Sequence, residues 1–106
     1  MNAGRITLTN DPGQAAEDAD VLYTDVWTSM GQEAESRKRK RDFHGFQVDA
    51  ALVRLAKPDV LVMHCLPAYR GKEIDEEIFE ANAQTIFDQA ENRLHVQKAI
   101  LDWAAR

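Results

Sequence analysis

Short β-branched and apolar runs alternate with segments of helical character along this chain, at a spacing that few folds accommodate. "RITLT" (5–9), "VLYT" (21–24), "VLVMH" (60–64) and "QTIF" (84–87) read as strands. Residues 60–64 form an unbroken apolar run, the pattern of a strand covered on both faces. Between the strands lie helix signals. Asp11 is placed to cap, Pro12 suits a first helical position, and Gln14 can complete a capping box. Asp49 is placed to cap a helix over 48–57 that Pro58 ends, and Asp75 to cap one over 75–82. A last helix from about Ala90 puts Val96, Ala99, Ile100 and Trp103 on one side. Strand and helix in alternation predict an α/β fold, a parallel sheet with right-handed crossovers and helices on its faces.

Composition narrows the class. The chain has 106 residues, 44% hydrophobic and 29% charged, which fits one small soluble domain. No apolar run approaches the ~20 residues of a membrane span, and the N-terminus carries no signal-peptide core. The expectation is a cytoplasmic protein with no membrane partner. One cysteine allows no intrachain disulfide. A net charge of −5 argues against a dedicated nucleic-acid binder. The basic run Arg37-Lys38-Arg39-Lys40-Arg41 has two readings, a nucleic-acid patch or a solvated helix face. Glu33 and Glu35 stand four residues before Arg37 and Arg39, the orientation that favours helical ion pairs, and no aromatic residue interleaves with the run.

In open parallel sheets, ligands bind beyond the carboxyl ends of the strands. That rule selects Asp25, Ser29 and Met30 after the second strand, and His64, Cys65, Leu66 and Pro67 after the third. It also selects Asp88 and Gln89 after the fourth, with Arg93 on the first turn of the last helix. Each has a plainer reading: a turn-forming carboxylate, a packed thiol, or an arginine paired with Glu91 or Asp88. His44, His64 and His95 with Cys65 match no zinc spacing, and no glycine-rich dinucleotide motif follows a strand. No metal or cofactor is expected.

The residues also carry a resemblance. "DVWTSMG" (25–31), "HCLPAYRG" (64–71) and "FDQAENRLHVQKAIL" (87–101), in this order and spacing, resemble the ornithine carbamoyltransferase family. The Ser-Met-Gly loop favours ornithine over the aspartate-using relatives. The resemblance implies a Rossmann-like, three-layer αβα domain, present as an incomplete domain. It implies ornithine binding by Asp25, Ser29 and Met30, and carbamoyl phosphate binding by Cys65, Leu66 and Arg93. Cys65 and Arg93 take the catalytic roles, without a covalent cysteine intermediate, and the Leu66–Pro67 bond is cis. The implied reaction transfers the carbamoyl group of carbamoyl phosphate to the δ-amine of L-ornithine, giving citrulline and phosphate in arginine metabolism.

Within that resemblance, residues 1–106 correspond to the C-terminal portion of the ornithine-binding domain. The carbamoyl phosphate domain, with its Ser-Thr-Arg-Thr loop, has no counterpart in them. Tyr69 stands where many members have histidine, and Asp49 where asparagine or threonine is common. Three readings follow: a portion of the enzyme, inactive without the N-terminal domain; a non-catalytic amino-acid-binding or interaction module; or a basic-patch protein using residues 37–41. The family is homotrimeric, largely through the N-terminal domain. The last helix packs on that domain, so its apolar face is expected to lack a partner here and to promote self-association.

Overall fold

A computed structural model describes residues 4–106. Two strands, β1 (Val21–Thr24) and β2 (Leu61–His64), pair in parallel, with Val21 opposite Leu61 and Thr24 opposite His64. Their apolar runs are the two strongest strand signals in the sequence. Helix α1 (Pro12–Ala16) precedes β1, and the connection between the strands carries α2 (Ser36–Asp42) and α3 (Ala50–Val53). Helices α4 (Glu76–Ala81) and α5 (Ala83–Ala104) follow. The result is an incomplete αβα arrangement around a two-stranded sheet.

Local chemistry starts three of the helices where expected. The carboxylates of Asp11, Asp49 and Asp75 accept from the backbone N–H groups of Gln14, Leu52 and Glu77 at 3.2, 2.9 and 3.2 Å, satisfying donors that a helix start leaves open. The reciprocal half of the first capping box does not form. Thr9 intervenes: its hydroxyl accepts from Asp11 N–H and donates to Gln14 Oε1.

Two expected strands are absent. Residues 5–9 take no regular structure and pair with no strand among the described residues, with Ile6 87% and Leu8 92% exposed. A strand needs a neighbour, and no described segment pairs with this one. Residues 84–87 belong to α5, a continuous helix of 22 residues. Ala83, Gln84, Gln89, Ala90 and Glu91 are good helix formers, and they outweigh the β-branched pair Thr85-Ile86. The helical register also buries Ile86 completely against the core. The helix over 48–57 is shorter than expected, its last residues passing into turns.

The core is small: Val48, Val62, Ile74, Ile78, Phe79 and Ile86, flanked by Leu52, Val53, Leu66 and Ala68. One face of β2 is fully covered, and the other only in part, at Met63. Val62 and His64 are buried, while Leu61 is half exposed. Val96, Ile100 and Trp103 on the outer half of α5 are 55%, 56% and 75% exposed, so the expected unpartnered face is present.

Candidate functional site

Both strands end at the same rim, and the chain beyond each end folds over it. Asp25 follows β1 directly and Cys65 follows β2 directly. The segment 25–30 and the turn 65–67 form two walls of a cleft of ≈ 540 Å³, within the range of small-ligand sites. Asp25, Ser29, Met30, Cys65 and Leu66 all line it, joined by Glu33, Lys40, Tyr69, Lys72 and Glu73. Five of the six residues to which the resemblance gives ligand roles thus meet in one place.

The 25–31 wall is held from outside. Trp27 stacks on Phe43 with ring centres 6.0 Å apart, and Phe43 meets Phe46 edge-on. Arg39 donates to the Trp27 carbonyl at 3.2 Å and pairs with Glu35 at 3.0 Å. The basic run therefore contributes a structural clamp, and its Glu35–Arg39 pair follows the helical spacing expected. Glu33 takes a different partner, accepting from Gly31 N–H at 3.1 Å. Gly31 has φ of 86°, a conformation that glycine adopts without a Cβ penalty.

The 64–67 wall is held from inside. His64 is fully buried, and its Nε2 lies 2.8 Å from Oε1 of the equally buried Glu73. Its Nδ1 accepts from Leu66 N–H at 2.8 Å. A nitrogen that accepts from an amide carries no proton, so the ring is the Nε2–H tautomer and donates to Glu73. Glu73 Oε1 also accepts from Tyr69 N–H at 2.8 Å, while its Oε2 is buried with no partner among the described residues. The Leu66–Pro67 bond is cis, as the resemblance implies, and Leu66 has φ of 61°. A non-glycine residue in that left-handed region costs about 1–2 kcal/mol, which the hydrogen bond to His64 helps offset.

Gln89 joins the strands to α5. Its Oε1 accepts from His64 N–H at 3.1 Å, and its Nε2 donates to Tyr23 OH at 2.8 Å. Desolvation pushes the Cys65 thiol above its ordinary range, and Asp25 beside it pushes further in the same direction; Tyr23 opposes with a hydrogen bond. The surroundings of Cys65 thus favour the thiol over the thiolate.

Arg93 arrives differently from expected. It lies inside α5 rather than on a first turn after a strand, is exposed, and does not line the cleft. It sits one turn beyond Gln89, on the same side of the helix. Glu91 and Asp88, its two candidate partners, instead engage His95 and Gln84. His64 turns into the core and His95 sits out on α5, so neither joins Cys65 in a ligand set.

Sequence reasoning missed Glu73 and Tyr23. Glu73 stands among Lys72, Glu76 and Glu77, where nothing local separates a buried carboxylate from solvated ones. Tyr23 reads as a strand residue, and only its contact with Gln89 brings it to the rim.

A parallel αβ domain that gathers an acid, a thiol and a shaped turn beyond two strand ends belongs to the class of small-ligand-binding α/β proteins. Residues 1–104 match the family model described as aspartate/ornithine carbamoyltransferase, Asp/Orn binding domain, and the chain belongs to that family. It is 58% identical over 106 residues to the ornithine carbamoyltransferase of Wolinella succinogenes, covering 100% of this chain and 34% of the relative. The Nitratiruptor sp. ornithine carbamoyltransferase is 60% identical over 101 residues, covering 95% and 33%. Among solved structures, the anabolic ornithine carbamoyltransferase of Campylobacter jejuni superposes with a TM-score of 0.85 at 47% identity, over 88% of this chain and 31% of that one. The chain thus spans about a third of the length of the relatives it matches.

Proposed function

We propose that this chain supplies the ornithine-side wall of an ornithine carbamoyltransferase, as the C-terminal portion of its ornithine-binding domain. The observation that carries the reading is the meeting of Asp25, Ser29 and Met30 with the Cys65-Leu66 turn in one cleft. Asp25 attracts an ammonium group of the substrate, Ser29 hydrogen-bonds its amino-acid end, and Met30 contributes backbone and packing contacts. The Cys65-Leu66 turn faces the carbamoyl group, with the Leu66 carbonyl as an acceptor for its amide protons. Arg93, on the helix side that carries Gln89, approaches carbamoyl phosphate as a planar donor.

The reaction is attack of the δ-amine on the carbamoyl carbon, with phosphate leaving. An alkylamine has a pKa of about 10.4 in water, so the site must hold ornithine and accept its proton before attack. A neutral thiol is a poor nucleophile, which suits Cys65 as an aiming group rather than a covalent one. The partners in this reading are L-ornithine and carbamoyl phosphate. The full-length protein is a homotrimer acting in arginine metabolism in the cytoplasm.

Phosphate recognition calls for several preorganised donors, and the cleft walls offer chiefly the side chains of Lys40 and Lys72. The test is a citrulline assay of this chain alone and mixed with the N-terminal two thirds of a relative. Turnover in the mixture, with none from either part, is the expected outcome. Ornithine binding without turnover in the mixture would instead favour a non-catalytic amino-acid-binding module, and turnover by the chain alone would refute the division of labour.

A further inference from the structure

The buried His64–Glu73 pair supports the cleft wall, with Glu73 at the cleft's edge and His64 behind it, and the roles given above to Asp25, Cys65, Leu66 and Arg93 leave it unused. Both residues are fully buried in a domain with few buried residues, and one carboxylate oxygen has no hydrogen-bond partner among the described residues. A polar pair kept in so small a core, with an oxygen left unsatisfied, carries a cost that packing does not explain. Its bonds all converge on one segment. His64 Nδ1 holds Leu66 N–H, Glu73 Oε1 holds Tyr69 N–H, and His64 Nε2–H joins the two. The turn from 65 to 68 is thus suspended at both ends from a single imidazole–carboxylate unit.

We propose that His64 and Glu73 are positioning residues that fix the direction of the Leu66 backbone, and with it the Leu66 carbonyl, toward the cleft. This rests on the reading of Leu66 as a wall of the carbamoyl phosphate site. The pair is not a proton relay to Cys65. One imidazole nitrogen faces Leu66 N–H and the other faces Glu73, each at 2.8 Å, so neither is free for the thiol. Cys65 answers instead to Asp25 and Tyr23.

The two nitrogens can be tested separately. In His64→Asn the amide oxygen can replace Nδ1 as acceptor for Leu66, while the reach to Glu73 is lost. In His64→Gln the longer amide can reach Glu73, but Leu66 N–H has no acceptor. In the chain without ligands, hydrogen exchange at the Leu66 amide should accelerate about tenfold or more in His64→Gln and stay near the parent rate in His64→Asn. In the mixed citrulline assay, His64→Gln should lose on the order of 10²-fold in kcat, the effect of misplacing a reacting group by about an ångström. His64→Asn should lose far less, and KM for ornithine should hardly move in either.

A relay, or a merely structural pair, predicts that both variants fall together; that result would overturn the proposal, as would unchanged Leu66 exchange in His64→Gln. The parent chain provides a measurement independent of any variant's folding. Its imidazole ¹⁵N spectrum should show an unprotonated Nδ1 and a protonated Nε2, and a proton on Nδ1 would refute the geometry. Should the mixture show no turnover at all, the functional reading fails, while the exchange and ¹⁵N results still decide the positioning role.

Discussion

The chemistry of Cys65 is displaced from its solution behaviour. Desolvation first, and the Asp25 carboxylate second, raise its pKa, because both penalise a thiolate. Two consequences have definite signs. The folded chain holds the thiol proton more tightly than the unfolded one, so the associated stability is full below the ordinary thiol pKa and is lost as pH rises through the elevated one. Alkylation by iodoacetamide should likewise have its pH midpoint above that of a free cysteine. Asp25→Asn should move that midpoint down; a midpoint that stays put would show that Asp25 does not act on the thiol. Asp25, Cys65 and Leu66 were legible in sequence, because the strand-end rule needs only the strand and the residue that follows it. Tyr23 was not, since it meets Gln89 far along the chain, and Glu73 was not, since only the folding of the 64–73 segment onto itself turns that one carboxylate inward among its charged neighbours.

At the scale of elements, local chemistry and long-range packing divide the fold between them. The caps at Asp11, Asp49 and Asp75 were readable because a carboxylate and an amide three residues or fewer apart decide the matter. β1 and β2 were readable because each is an apolar run bounded by turn residues. Residues 84–87 misled, because Thr85, Ile86 and Phe87 look like a strand while their neighbours prefer a helix. The helix prevails, and Ile86 becomes its anchor in the core. Ile86→Ala should therefore cost about 2–5 kcal/mol in chemical denaturation. Ile6→Ala, at a position 87% exposed, should change stability by about 0.5 kcal/mol or less. A similar cost at the two positions would contradict the placement of both segments. The same error displaced Arg93: a strand over 84–87 would have started the helix near it, whereas the continuous α5 puts it mid-helix.

The whole molecule is more extended than its length requires. Its radius of gyration is 15.9 Å, against about 13 Å for a compact chain of 100 residues. Unburied apolar side chains, among them Leu94, Val96, Ile100, Leu101 and Trp103 on α5, are the complement of that shape. Exposed faces of this kind drive association. Sedimentation should show a concentration-dependent rise in mass that Ile100→Glu with Trp103→Glu abolishes; a monomer at all concentrations would show the face to be inert. The same helix has a mechanical side. From Gln89, which grips the ends of both strands, to Trp103 it runs unbroken for about 21 Å at 1.5 Å per residue. With Gln89 as the fulcrum and the outer half free, α5 is a lever. Whatever seats the far end sets the angle at which the near end meets the rim, and about 3° of tilt at the fulcrum corresponds to about 1 Å of travel at Trp103.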